Sequence, residues 1–210
     1  NLFNPDNPNN MALNQLLSNG NQPLLNRATQ GQYPLGSAFK PITMFAALES
    51  GLYEKDTPYD CQYEFKELGE PILRDWTWQH CQDRIAAGQF CDTSDSIPSG
   101  LLTLQEGLMR SCNPYFWHIG LDLFNYDRKT DIAKMARAFG LDAKTGIEVE
   151  EASGQITDPV ADLDAVNQAI GQGDMQVTPL QVARYMAAIA NGGTLYRPQI
   201  VEKIQPVEGD

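Results

Sequence analysis

Residues 33–48, "YPLGSAFKPITMFAAL", place a serine and a lysine three positions apart where a glycine-containing turn gives way to an apolar helical pattern. Apolar side chains then recur at helical spacings, which predicts a helix from Ser37 to about Glu49 that is buried nearly all round. Gly51 follows as a residue typical of helix ends. The apolar residues that set the pattern are Phe39, Ile42, Phe45, Ala46 and Leu48.

Ser37 and Lys40 would share one face of this helix, one turn apart. Free N–H groups and the dipole at a helix start favour an oxyanion that forms beside the serine. A lysine among Phe39 and Phe45 loses solvation of its charged form, so its pKa falls and it can accept the serine proton. The pair is therefore a candidate nucleophile and general base. The alternative is a chance Ser-x-x-Lys whose lysine is solvated near the helix start.

A second candidate lies in "RSCNPYFW", residues 110–117, at a break between two helical patterns. The Ser111 hydroxyl and the Asn113 carboxamide could relay a proton to a departing amine and hold a peptide amide in register. The alternative is that Asn113 only precedes Pro114 as a cap or turn residue. Between them, Cys112 is interpreted as a small buried hydrophobic residue rather than a reactive thiol.

Charge and cysteine spacing exclude several classes of protein. The 210 residues carry a formal net charge of −12, which argues against nucleic acid or an anionic membrane surface as the main partner. The four cysteines form no Cys-x-x-Cys pair and the two histidines lack zinc-finger spacing, which argues against a metal site. Cys61, Cys81 and Cys91 share one polar segment, where two of them could form a disulfide or all three could stay reduced.

Further elements follow from local signals. Short helices are predicted around residues 9–18 and from Thr103 to Arg110, the latter with Glu106 completing a capping box. Longer helical patterns cover "YFWHIGLDLF", "KTDIAKMARAF" and "TPLQVARYMAAIANGG", and the last has an N-cap at Thr178 with Pro179 at the first helical position. Residues 52–100 are turn-rich, irregular and insertion-like, with "QYEFKEL" able to form a strand. "TGIEVE" is predicted to be a short strand or an extended segment.

Three blocks, taken in order, carry a resemblance to a known family. "NRATQGQYPLGSAFKPITM", "LMRSCNPYFW" and "IGQGDMQVTPLQVARYMAAIANGG" resemble successive parts of the penicillin-binding protein transpeptidase domain, class B type, from about Asn26 to Ile204. The resemblance implies a mainly α chain, the helical part of an α/β transpeptidase or β-lactamase-like domain. Most of the central antiparallel sheet would lie outside residues 1–210, which would form a single partial domain.

By this resemblance Ser37 is the acylated nucleophile, Lys40 its general base, and Ser111 and Asn113 the second motif. The chain would be a peptidoglycan D,D-transpeptidase acting on D-Ala-D-Ala stem peptides, with β-lactams as covalent inhibitors and no metal or organic cofactor. The parent would work at the extracytoplasmic face of the bacterial cytoplasmic membrane, held by an anchor outside this sequence. Other cell-wall or division proteins would be its partners.

The family's third motif is Lys-Thr-Gly, and this sequence contains one at residues 144–146. In the family the third motif follows the block that contains Thr178, whereas Lys144 precedes it. We therefore interpret residues 144–146 as a decoy and expect the true motif beyond Asp210. Because part of the oxyanion hole would then be absent, these 210 residues alone are expected to be weakly active or inactive.

Two other functions fit parts of the same pattern. A β-lactam-hydrolysing or β-lactam-sensing relative would use the same Ser-Lys pair and differ in the rate of deacylation. A non-enzymatic domain could instead bind cell-wall or division proteins through its helical surface, and would not depend on Ser37. The long block that contains Thr178 favours the transpeptidase.

Overall fold

The computed structural model describes residues 11–205, and helices make up most of its regular structure. The helices are α1 (Met11–Leu17), a 3-10 helix (Gly36–Phe39), α2 (Lys40–Ser50), α3 (Trp76–Ala86), α4 (Leu104–Met109), α5 (Asn113–Asn125), α6 (Asp131–Ala138), α7 (Asp162–Ala169) and α8 (Pro179–Ala190). The strands are β1 (Pro58–Cys61), β2 (Glu64–Phe65), β3 (Leu73–Arg74) and β4 (Gly100–Thr103). β1 pairs antiparallel with β4, and β2 with β3.

Local capping signals account for two helix starts. The Thr103 hydroxyl accepts a hydrogen bond from the Glu106 backbone N–H, and the Glu106 carboxylate accepts from the Thr103 backbone N–H. Thr178 and Gln181 make the same reciprocal pair at the start of α8. Both boxes satisfy N–H groups that a helix start leaves free, so the predicted starts of α4 and α8 are confirmed.

Other predictions needed correction. The helix predicted from Ser37 begins as a 3-10 turn and becomes α-helical only at Lys40. α2 is not buried all round, because Phe45 is partly exposed, with its ring tilted against that of Phe139 at 5.6 Å between centroids. α3 and α7 were not predicted, and only Glu64–Phe65 of the proposed strand "QYEFKEL" pairs. The segment "TGIEVE" forms no strand, so of the two alternatives only the extended segment remains. α1 lies within the short helix predicted around residues 9–18, and residues 9 and 10 fall outside the described residues.

α5 lies at the centre of the core and packs closely on α7. The two helices approach at Gly120, where a Cβ atom would lie 2.6 Å from the Ala165 carbonyl oxygen and 2.8 Å from Ala169 Cβ. α2 also packs on α5, and it packs on α6. The largest fully buried apolar side chains include Tyr115, Tyr185, Phe39, Phe65, Phe116, Ile42, Leu104 and Ile119.

The segment between α7 and α8 supports the turn that carries Ser37. The Gly36 N–H donates to the Gly171 carbonyl oxygen at 2.9 Å, and Tyr33 forms an antiparallel bridge with Val177. Gly171 has φ 72°, and a Cβ there would lie 2.4 Å from the Gly36 carbonyl oxygen. Only glycine meets both demands, so the close approach of the two loops depends on it.

All four cysteines form disulfides, Cys61 with Cys112 and Cys81 with Cys91. The possibility of a disulfide among Cys61, Cys81 and Cys91 is confirmed for Cys81 and Cys91. The predicted burial of Cys112 is confirmed, but the residue is not a free cysteine, because its sulfur is bonded to that of Cys61. The pairing of β1 with β4 brings Cys61 to the start of α5, a proximity that the 51 residues between the two cysteines do not reveal.

Within residues 11–205 no helix combines the length and apolar character needed to cross a membrane. The same part of the chain holds no group of three or more His, Cys, Asp or Glu side chains arranged to bind a metal ion.

We predict that Gly120→Ala destabilises the fold although alanine has the higher helix propensity. The added methyl would overlap Ala165 and Ala169, and such overpacking costs about 1–3 kcal/mol, more than the gain of about 1 kcal/mol from propensity. Urea unfolding of the full-length chain, followed by circular dichroism, measures the change. Gly20→Ala is the matched control, since nothing lies within 4 Å of that position. A Gly120→Ala protein as stable as wild type would contradict this packing.

Candidate active site

Ser37, Ser111 and Lys40 form a continuous hydrogen-bonded chain. The Ser111 hydroxyl lies 3.0 Å from the Ser37 hydroxyl, and Lys40 Nζ lies 2.9 Å from the Ser111 hydroxyl. Lys40 Nζ also donates to the Ser111 carbonyl oxygen and to Asn113 Oδ1, each at 2.6 Å. The structure thus brings together all four residues that the sequence analysis singled out.

The four residues differ in exposure. Ser37 is exposed, Ser111 and Asn113 are half-buried, and Lys40 is fully buried. A substrate can reach the Ser37 hydroxyl from solvent while water is kept from the amine. The arrangement therefore gives a proton a path from an accessible hydroxyl to a dry amine.

Backbone conformation places Ser111 in this chain. α4 ends with Ser111 N–H donating to the Leu108 carbonyl oxygen and Cys112 N–H donating to Gly107, at 3.0 Å each. Ser111 itself has φ 53°, a left-handed conformation that non-glycine residues adopt rarely. This conformation turns the chain between α4 and α5, so both the carbonyl and the hydroxyl of Ser111 face Lys40. The Cys61–Cys112 disulfide anchors the next residue to β1.

Burial is the main influence on the pKa of Lys40. Burial lowers the pKa of Lys40 from 10.5 to about 8, and the negative charge of Asp75 partly opposes this shift. The ring of Phe116 lies 5.4 Å from Nζ, at a distance that suits a cation–π contact. The predicted fall in pKa is thus found, but the aromatic ring over Nζ is that of Phe116, and the ring of Phe45 lies against Phe139.

Lys40 and Ser37 do not form the direct hydrogen-bonded pair that the sequence analysis predicts. Among the described residues, the hydrogen bonds of Lys40 Nζ go to Ser111 and Asn113, and the Ser37 hydroxyl is bonded to Ser111. The 3-10 turn puts residues three apart on one side of the chain, but the Ser111 hydroxyl lies between their functional groups. Spacing along one helix could not reveal this, because Ser111 comes from a separate segment.

Sequence reasoning missed Asp75. Its side chain is 2% exposed; one carboxylate oxygen accepts from the Asn113 backbone N–H at 3.0 Å, and the other accepts from the Thr77 hydroxyl at 2.7 Å. Asp75 is the N-cap of α3. Its signal in the sequence was the capping position before "WTWQHCQDR", which went unnoticed because no helix was predicted there.

Residues 144–146 lie in a loop that is held by the side chain of Glu151, and Arg197 donates to the Gly146 carbonyl oxygen. The buried Thr145 hydroxyl and the backbone N–H groups of Thr145 and Gly146 all donate to the Glu151 carboxylate, at 2.7–2.8 Å. These bonds outweigh the effect of burial and keep the pKa of Glu151 below its usual value. The threonine hydroxyl is therefore engaged in stabilising its own loop.

We predict that Lys40→Met removes a pH-dependent part of the stability. Between pH 8 and 10.5 the unfolded chain holds a proton on Lys40 that the folded chain has lost, so wild-type stability relative to the variant rises with pH by about 3 kcal/mol. Urea unfolding of both full-length proteins across this range measures the difference. Lys144→Met, at an exposed lysine, controls for the lost positive charge. A wild-type-minus-Lys40→Met difference that stays constant with pH would contradict the burial of the ammonium.

Comparison with known proteins gives one consistent family. Residues 2–208 match the family described as the penicillin binding protein transpeptidase domain. The peptidoglycan D,D-transpeptidase PbpA of Mycolicibacterium smegmatis is 34% identical over 196 residues, covering 92% of this chain and 36% of that protein. The chain thus spans about a third of the length of this relative.

Similar solved structures indicate the same family. A chain from a peptidoglycan synthase complex, described as coordinating polymerization and crosslinking, is 31% identical with a TM-score of 0.77, covering 93% of this chain and 32% of that one. Penicillin-binding protein A of M. tuberculosis in its penicillin G acyl-enzyme complex is 28% identical with a TM-score of 0.70, covering 92% of this chain and 41% of that one. The mainly helical structure described above shares its fold with these α/β transpeptidase domains. The chain therefore belongs to the penicillin-binding protein transpeptidase domain family.

Proposed function

We propose that the full-length chain is a peptidoglycan D,D-transpeptidase that acts through an acyl-enzyme on Ser37. The observation that carries the proposal is the chain of hydrogen bonds from exposed Ser37 through Ser111 to buried Lys40. Family membership and the D,D-transpeptidase relative support the same reaction.

In this mechanism Ser37 attacks the carbonyl carbon of the penultimate D-Ala of a stem peptide. Its proton passes to Ser111 as the Ser111 proton passes to neutral Lys40, so both hydroxyls rotate from their resting orientation. The tetrahedral intermediate collapses, the peptide bond breaks, and the terminal D-Ala leaves with a proton returned along the same path. An amine of a second stem peptide then attacks the ester carbonyl; the new amide bond forms, the C–O bond to Ser37 breaks, and the proton lost by the amine reaches Ser37 Oγ through Lys40 and Ser111.

The lowered pKa makes Lys40 a usable base near neutral pH. With a pKa of about 8, about a tenth of the molecules hold a neutral amine at pH 7, against about three in ten thousand at a pKa of 10.5. The gain in neutral base is therefore more than a hundredfold. Because Asn113 Oδ1 is engaged by Lys40, its NH₂ group is the part free to donate to a substrate carbonyl.

The remaining hydrogen-bond donors of the oxyanion hole would come from outside the helical elements. We propose that residues 144–146 are not the third motif, since Thr145 is bound to Glu151, and that a separate Lys-Thr-Gly strand of the full-length chain completes the oxyanion hole. The central sheet of the family fold would be supplied in the same way. The described residues alone would then react weakly with penicillin, because one lost oxyanion donor costs about two to three orders of magnitude in rate.

Stem peptides and β-lactams are the proposed ligands, and proteins of the cell-wall synthesis machinery are the proposed partners. The penicillin G acyl-enzyme of the M. tuberculosis protein and the synthase complex of another relative support these proposals. We propose that the site works at the extracytoplasmic face of the cytoplasmic membrane, an oxidising setting in which the two disulfides would persist.

We predict that Ser37→Ala abolishes covalent labelling of the full-length chain by a fluorescent penicillin, because the nucleophile is lost. Ser153→Ala, at an exposed serine on another segment, is the matched control and should label like wild type. Labelling is read by gel fluorescence, and the modified residue is identified by mass spectrometry of tryptic peptides. Labelling of Ser37→Ala at the wild-type rate would overturn the proposed function.

A further inference from the structure

Asp75 is a buried carboxylate at the meeting point of two helix starts. One oxygen accepts from the backbone N–H of Asn113, the first residue of α5, at 3.0 Å. The other accepts from the Thr77 hydroxyl at 2.7 Å and from the Thr77 backbone N–H at 3.3 Å, near the start of α3. The carboxylate thus satisfies N–H groups that both helices would leave free.

A carboxylate this deeply buried needs compensation for its lost hydration. Within residues 11–205 no lysine, arginine or histidine nitrogen lies within 4.0 Å of Asp75. The positive ends of α3 and α5 supply part of the compensation. The nearby ammonium of Lys40, also buried, supplies a further part through its charge.

Asn113 connects the two buried charges. Asp75 holds its backbone N–H, while its side-chain oxygen accepts from Lys40 Nζ at 2.6 Å. Around Lys40, α5 and the residues before it contribute the neutral Ser111 and Asn113 and the Phe116 ring, and the segment before α3 contributes Asp75 as the charged group. Replacing Asp75 by a neutral residue therefore removes a negative charge that acts on the Lys40 ammonium. Replacing it by a residue that cannot accept a hydrogen bond also leaves the Asn113 backbone N–H without this partner.

We propose that Asp75 is a positioning residue of the transpeptidase site, which fixes the backbone of Asn113 and acts on Lys40 through the Asn113 side chain and through its own negative charge. Among the described residues its side chain is hydrogen-bonded to Thr77 and Asn113 and not to Ser37, so it acts through Asn113 and Lys40. This inference rests on the proposed function for its meaning in catalysis. The effect of Asp75 on the titration of Lys40 can be measured without any substrate.

The test compares full-length wild type with Asp75→Asn and Asp75→Ser, which remove the charge but keep a residue that can cap α3. Asp83→Asn, an equal charge change on the exposed side of the same helix, is the matched control. Two midpoints are measured from pH 6 to 11: the titration of Lys40, by NMR of labelled lysine side chains assigned with Lys40→Arg, and the rate of penicillin acylation.

We expect both Asp75 variants to lower the Lys40 midpoint by about one pH unit, since an ammonium that loses a nearby negative charge gives up its proton more easily. The acylation profile should shift by the same amount, and Asp83→Asn should shift neither. If the variants only lose stability and keep the wild-type midpoint, Asp75 is a structural cap alone and the inference is wrong. If Lys40 shifts as expected but the wild type is not acylated at all, the proposed function fails and the coupling of Asp75 to Lys40 stands.

Discussion

The site depends on a lysine ammonium held out of water by oxygens from a different segment of the chain. Lys40 is fully buried at the start of α2, and Ser111 and Asn113 supply the three oxygens that its Nζ atom contacts. A buried charge without such partners would be very costly. The contact therefore joins the first and second motifs, while burial of the ammonium lowers the pKa of Lys40 towards neutrality.

Much of the fold serves to hold these two segments in place. Gly171 and Val177 support the turn around Ser37 from one side, and the Cys61–Cys112 disulfide anchors the second motif from the other. α5, which begins at Asn113, is the central helix of the core. The candidate site residues are thus held by buried helices, a disulfide and hydrogen-bonded loops, which is what a preorganised site requires.

The sequence predicted the parts of this structure that rest on local signals. The capping residues of α4 and α8, the helical pattern after Ser37 and the break at Asn113 each depend on neighbours within one or two turns. The four candidate residues Ser37, Lys40, Ser111 and Asn113 were found in this way together with the family resemblance. In the structure they lie together, as that reading required.

Contacts between distant segments could not be predicted. The Cys61–Cys112 bond depends on the pairing of β1 with β4, and the role of Asp75 depends on α3, a helix without a clear apolar pattern. The position of the Ser111 hydroxyl between Ser37 and Lys40 depends on a left-handed backbone at a serine, which composition does not indicate. These features arise from tertiary packing and not from residue spacing.

The central claim is that Lys40 acts on Ser37 through the Ser111 hydroxyl. The most direct measurement is the second-order rate constant for penicillin acylation of the full-length chain carrying Ser111→Ala, which keeps the backbone carbonyl that Lys40 contacts. Because the proton path is interrupted, we predict a fall of about 10²–10⁴-fold, the usual size of a general-base contribution. A rate constant equal to that of wild type would contradict the relay and leave Lys40 without a described route to the nucleophile.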